Sequence, residues 1–452
     1  MERKENKMGV MPVKKLIITM SLPMMISMLV QALYNVVDSI FVAQLSEGAL
    51  TAVTLAYPMQ NLLIAVGSGT GVGINALLSR SLGEKRFERA DAAANTGLLL
   101  AFCSFLVFLL VGIFVAGPFI GTQTDVTEIA EMGTTYLRIV SCLSLGLFFQ
   151  MTFERLLQST GLTIYSMISQ GTGAIINIIL DPIMIFGYFG MPALGVAGAA
   201  YATVIGQTCA GCIGLLLNLK FNKEINLSLK RVLQPKKATI VEIYAVGIPS
   251  ILMMAIGSVM TYSMNRILII FSTTATAVFG VYFKLQSFFF MPVFGLNSGL
   301  IPVLAYNYGA RKKERIIEAL RFAMMLAVGI MLIGFIIFQS IPGTLLQMFN
   351  ASEDMLAMGI PAMRTICICF PFAGACIAMG SVFQAFSKSF YSLLVSVGRQ
   401  LVILIPVAWA IAKFTGQLSL VWFAFPIAEI VSLGLSILFF TRVYKEIIAK
   451  LN

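Results

Sequence analysis

The chain has 452 residues, 58% hydrophobic and only 11% charged, with a net charge of +11 and no histidine. Soluble globular chains carry about 25% charged residues, so a water-soluble protein is excluded. The missing imidazole removes His-based metal centres, haem ligation by His and His proton relays. The positive charge is spread over short connections rather than gathered on one surface, which excludes a nucleic-acid partner.

Apolar runs of about 20 residues recur from end to end, each long enough to cross a hydrocarbon core of about 30 Å. The alternating strands of a membrane barrel are absent. The fold class is therefore an all-α polytopic membrane protein with twelve transmembrane helices. They start near Leu16, Leu50, Ala92, Ala130, Tyr165, Leu194, Val241, Ala275, Ala319, Met355, Tyr391 and Leu418. The charged start, "MERKENKMGVMPVKK", is not followed by a small-residue cleavage site, so no cleaved signal peptide is expected.

Ionisable residues inside spans are costly and mark function by default. On the first span Gln31, Tyr34 and Asp38 share one helical face. The second contains "GSGTGVG" (67–73), which lacks the Lys-Ser/Thr of a phosphate loop and reads as a small-residue helix contact. On the fourth, Gln150, Glu154 and Gln158 are four apart; Arg155 points about 100° away, toward headgroups. On the fifth, Ser166, Gln170, Gly173, Asn177 and Asp181 form one polar face that ends at Pro182. That proline lacks the N–H that would bond the Ile178 carbonyl, so a kink and a free oxygen are expected there. These three faces predict a polar pocket in the first half. The Asn177 amide, the Asp181 carboxylate and that free carbonyl can coordinate Na⁺, and the same groups can hold a protonated carboxyl by hydrogen bonds. Counted from the span boundaries, Asp38 and Asp181 lie in the outer half and Glu154 nearer the inner end, at different depths.

On the sixth span Cys209 and Cys212 form a CxxC among Ala, Gly and Leu, read as a helix contact. All seven cysteines fall in apolar segments, and disulfides are not expected. The second half carries Lys284, Arg399 and Glu429 within spans and Arg266 near a span end. A structural Arg399–Glu429 or Lys284–Glu429 pair is one reading; with Gln150 and Gln170 these residues are also candidates to line a substrate cavity.

The connections alternate in charge. The basic set includes the amino terminus, Arg80 to Arg89, Lys220 to Lys237, Arg311 to Arg315, Lys388 and the tail; the other set is nearly free of Lys and Arg. The positive-inside rule places the basic set and both termini in the cytoplasm.

The two halves align at a constant offset of 226 residues. "GEKRFERA" (83–90) lies over "GARKKERI" (309–316), and Pro23, Gln60, Gly69, Arg138, Gln158 and Tyr165 meet Pro249, Gln286, Gly295, Arg364, Gln384 and Tyr391. Two parallel six-helix repeats follow: 1–226, a cytoplasmic linker 227–237, and 238–452. Rocking two such halves about a central site is the usual route to alternating access. The acids are not repeated, since Asp38, Glu154, Asn177 and Asp181 correspond to Met264, Gly380, Ile403 and Val407.

The stretches "SLPMMISMLVQALYNVVDSIFVAQL" (21–45), "LLSRSLGEKRFERA" (77–90), "LQSTGLTIYSMISQGTGAIINIILDPIMIFG" (157–187) and "IPVLAYNYGARKKERI" (301–316) resemble the multidrug and toxic compound extrusion (MATE) transporters. The pattern is most similar to the bacterial branch of DinF-like and MepA-like proteins. The resemblance implies V-shaped lobes around a central cavity and antiport of cationic amphipathic compounds against H⁺ or Na⁺. It implies a coupling site at Asp38, Asn177 and Asp181 beside Gln31 and Tyr34, a bend of the first span at Pro23, and a substrate or coupling role for Glu154. No enzyme activity and no cofactor beyond the coupling ion is expected. A monomer in the bacterial inner membrane is expected. The alternatives are a flippase of lipid-linked saccharides, which would want a cationic cavity, and a membrane enzyme, which would want acidic metal motifs at loops.

Overall fold

The computed structural model describes residues 4–451; Arg3, counted above with the basic amino terminus, lies outside them. Long apolar helices follow one another with short connections. They are α1 (Val13–Leu45), α2 (Glu47–Gly83), α3 (Phe87–Phe114), α4 (Thr127–Cys142), α5 (Leu145–Ser159), α6 (Thr163–Phe186), α7 (Val196–Phe221), α8 (Lys237–Leu268), α9 (Thr273–Gly309), α10 (Lys313–Ser340), α11 (Glu353–Ala385), α12 (Ser389–Thr415) and α13 (Leu418–Lys450). Eleven of them are long and apolar enough to span a membrane alone. The fourth expected span is broken: α4 and α5 meet at 48° and together make the twelfth.

The repeat seen in the sequence recurs in local geometry. Ser46 and Ser272, 226 residues apart, are both extended and cap α2 and α9 by accepting the N–H of Ala49 and Ala275. Lys85 and Arg311, also a repeat pair, both take a left-handed conformation, φ 58° and 57°, in the turn after those helices. The lengths match too, with 37 residues in α2 and in α9.

The chain divides into two compact units. One holds the residues up to Lys7 with Ile26–Ile251; the other holds Met8–Met25 with the residues from Leu252 onward. One boundary lies ahead of α1, between Lys7 and Met8; the other two fall inside α1 and α8, two to three residues past Pro23 and Pro249, which lie within those helices. A mid-helix proline loses a backbone hydrogen bond, so each of these two sits beside a built-in weak point.

Within the first unit, α2 crosses the start of α8 at glycines. A Cβ on Gly69 would lie 2.8 Å from the Ile251 nitrogen, and one on Gly73 would meet the Ile243 carbonyl. Within the second unit, a Cβ on Gly295 or Gly299 of α9 would lie 2.5 Å from the Met25 Cα or 2.7 Å from the Ser21 Cα of α1. Small residues let backbones approach where no hydrophobic effect drives helices together. This is what the "GSGTGVG" run of α2 does.

Candidate cation-coupling site

In the first unit, α1, α2, α5, α6 and α7 line a cleft. Its walls include Gln31, Tyr34, Gln150, Glu154, Gln170 and Asn177, together with Thr203 and Gln207 of α7. The three polar faces read from the sequence therefore do converge. Gln170 donates to Gln31 Oε1 at 3.1 Å, tying α6 to α1. Gln150 donates to Glu154 Oε1 at 2.9 Å. The close packing of α6 on α7 that frames the wall depends on facing glycines: a Cβ on Gly206 would lie 2.8 Å from the Gly173 carbonyl oxygen.

Beyond the cleft wall lies a cluster of acceptors. Asp181 is fully buried and its carboxyl adjoins that of Asp38. Asn177, one helical turn before Asp181, spends its amide nitrogen on Thr203 Oγ1 at 3.3 Å, which leaves its carbonyl oxygen for the cluster. Asp38 Oδ1, both carboxylate oxygens of Asp181 and Asn177 Oδ1 are all buried without a hydrogen-bond donor. Buried polar atoms are nearly always paired, so the orphaned oxygens of the adjoining Asp38 and Asp181, with that of Asn177 one helical turn before Asp181, call for a cation or a proton. Hard oxygen donors of this kind fit Na⁺, and two adjoining carboxyls equally fit a shared proton.

Glu154 lines the cleft, whereas Asp38 and Asp181 do not line it; Asn177 belongs to both groups. The structure thus links the two acidic sites through α6 rather than merging them. Thr203 and Gln207 were not singled out in the sequence. They are four apart on α7, the same spacing that revealed the other polar faces.

Arg155 corrects an expectation. It does not reach for headgroups: it is buried, with Nη1 donating to Gln158 Oε1 at 3.1 Å and Nη2 to Ser68 Oγ at 3.3 Å. Its stem lies on Gly71, where a Cβ would come within 2.6 Å of the Arg155 Cγ. Gln158 in turn donates to Ser166 Oγ at 3.0 Å. A buried cation therefore stands in sequence next to Glu154, with neutral side chains accepting its hydrogen bonds.

In the second unit Arg399 approaches Glu429 Oε2 at 3.5 Å. Arg399 sits in a π-helical stretch, Gly398–Leu404, a widened turn that re-aims side chains. Glu429 is buried and its Oε1 has no partner. Lys284 is exposed and stands outside this pair.

A sequence model of the MatE family matches residues 23–183 and again 249–410, the same offset as the internal repeat. The chain belongs to the MatE family. Among curated relatives it is similar to the multidrug export protein MepA of Staphylococcus aureus (strain MSSA476), 24% identical over 412 residues, 91% of this chain and 90% of that protein. It is also similar to MepA of Staphylococcus haemolyticus (strain JCSC1435), 26% identical over 409 residues, 89% and 88% of the two chains. Among solved structures it matches the outward-facing conformation of a multidrug resistance MATE family transporter of the MOP superfamily. That match has a TM-score of 0.92 and 25% identity and covers 98% of each chain. A MATE family transporter with a twelve-helix fold, crossing the membrane many times, is what these residues build.

Proposed function

We propose that this chain is a secondary multidrug exporter that trades cationic, amphipathic compounds for protons, with Na⁺ the alternative ion, by alternating access of its two repeats. The observation that carries this reading is the group of four orphaned oxygens at Asp38, Asn177 and Asp181. A protonated or cation-loaded cluster is satisfied; an empty, charged one is not, so the site has two states separated by ion binding. Coupling then requires that the substrate and the ion favour different states.

The cleft supplies the substrate side. Glu154 offers a negative charge in surroundings of low dielectric, where its attraction for an organic cation is stronger than in water. Gln31, Gln150, Gln170 and Gln207 offer adaptable donors and acceptors around it. Met151 in the same wall suits varied apolar bodies. Gln31, Tyr34 and Asn177, shared by or next to both sites, are positioned to carry the link. Pro23 and Pro182 are the points at which α1 and α6 can bend. The likeness to the two export proteins named above supports the substrate class. In this reading the protein acts as a monomer in the bacterial cytoplasmic membrane with both termini inside, and the Arg399–Glu429 pair is structural.

The test is efflux of a fluorescent cation from proteoliposomes under an imposed proton gradient. Asp181→Asn is expected to lower transport by about tenfold or more, since removing a buried charge changes ion binding by a kcal/mol or more. Wild-type transport by a folded Asp181→Asn chain contradicts the assignment.

A further inference from the structure

We infer that the connection between the two repeats is a docking surface for anionic phospholipid headgroups. The connection runs from Phe221, the end of α7, to Lys237, the start of α8. Its inner side is fixed to the start of α3. Asp91 accepts the Asn226 N–H at 2.7 Å on one oxygen and Arg231 Nη1 at 2.7 Å on the other. Asn95 accepts the Ser228 N–H at 2.9 Å and donates to the Asn226 carbonyl at 2.9 Å. Ile225 is buried beneath. The segment is thus held in one orientation rather than left as a loose tether.

That orientation turns two leucines outward. Leu229 and Leu233 are 76% and 68% exposed. They are four residues apart across one helical turn, Leu229–Val232, so they share a face. Neither belongs to a span, so the hydrocarbon core that covers the exposed leucines of the helices does not cover these. The same connection and its flanks carry five exposed lysines: Lys220, Lys223, Lys230, Lys236 and Lys237. The acid in the segment, Glu224, already accepts a hydrogen bond from Asn6 at 3.2 Å.

Because the segment joins two membrane helices and is tied to a third, it lies at the bilayer surface. A pair of apolar side chains on a lysine-rich connection matches that surface: leucines enter the acyl boundary, and lysine stems follow them with their charge at the phosphates. The charge selects an anionic lipid, since juxtamembrane lysines are drawn to acidic headgroups and fall off in effect within a Debye length. The joint between the repeats would then sense the charge of one leaflet.

The test uses the full-length chain with Trp409 replaced by Phe and a new indole placed by Leu233→Trp. It is reconstituted in vesicles of brominated phosphatidylcholine, with or without phosphatidylglycerol at about 30 mol %. Quenching of the new indole about twofold stronger with the anionic lipid is expected, falling to the level in phosphatidylcholine alone when Lys230, Lys236 and Lys237 are changed to Gln. No quenching above that of Trp422 in either vesicle overturns the proposal, as does equal quenching in both. Emission that follows the protein-to-lipid ratio instead of bromine also overturns it, by showing that a second copy covers the leucines. These positions are exposed and far from the cleft residues in sequence, and unchanged thermal melting of each variant shows that folding is intact.

Discussion

Asp181 and Glu154 are both buried carboxyls on neighbouring helices, yet they stand in different surroundings. Asp181 has no donor at either oxygen, whereas Glu154 is hydrogen-bonded to Gln150 and faces the cleft. Their removal should therefore fail in different ways. Glu154→Gln is expected to raise the half-saturating concentration for a cationic dye about tenfold, roughly 1.4 kcal/mol of binding, while saturated transport persists. Asp38→Asn is expected to spare dye binding and abolish gradient-driven turnover. Dye titration by fluorescence polarisation beside a transport assay separates the two; identical defects in both variants contradict the division of roles. Arg155 makes a third case. Gly71→Val would drive a side chain into its stem, and overpacking of that kind costs about 1–3 kcal/mol. The spacing of polar residues in the sequence was enough to put Asn177 and Asp181 on one face of α6 and Asp38 on a face with Gln31 and Tyr34 of α1, because helical geometry alone decides who shares a face; that Asp38 joins the other two was legible only from the family resemblance. It was not enough for Arg155: knowing which way a side chain leaves one helix does not reveal that the facing helix has a glycine there to receive it.

Among the helices, the glycine crossings make the sharpest element-scale prediction. Gly73→Leu on α2 and Gly299→Leu on α9 place side chains against the backbone of α8 and α1, respectively. Each is expected to lower stability by about 1–3 kcal/mol or to prevent assembly. Gly171→Ala on α6, where a Cβ would meet nothing within 4 Å, is expected to leave melting unchanged or slightly higher. Equal melting temperatures for all three in detergent would show that close approach is not what these glycines supply. The apolar runs themselves were legible to within a few residues, since their length is dictated by the bilayer. The break between α4 and α5 was not, because "SCLSLG" (141–146) carries neither the proline nor the charge that marks a helix end in a sequence. The fixing of the linker by Asp91 and Asn95 was equally hidden, as a carboxylate at a helix start reads as ordinary solvation.

For the molecule as a whole, the sequence repeat and the compact units divide the chain at different places. The repeat breaks near the linker, whereas the units take Met8–Met25 with the second half and the residues before Leu252 with the first. Each repeat thus lacks part of a compact unit. Residues 1–226 and 227–452 expressed separately are expected to be degraded, and co-expressed to recover a folded, co-purifying pair. Stable, monodisperse single halves by size-exclusion chromatography contradict this. The 226-residue register was readable from Gly, Pro and charged matches, but which segments pack together depends on three-dimensional contacts that a register does not encode. The proposed function puts the coupling site in the first half, where Asp38, Asn177 and Asp181 stand and their repeat counterparts are Met264, Ile403 and Val407. The most direct measurement of that claim is dye efflux from proteoliposomes in sodium-free buffer with only a pH gradient imposed, wild type beside Asp181→Asn. Uptake of protons in exchange for dye by the wild type, and none by the variant, is the predicted result. Dye movement that ignores the pH gradient, or that survives in the variant, would contradict it.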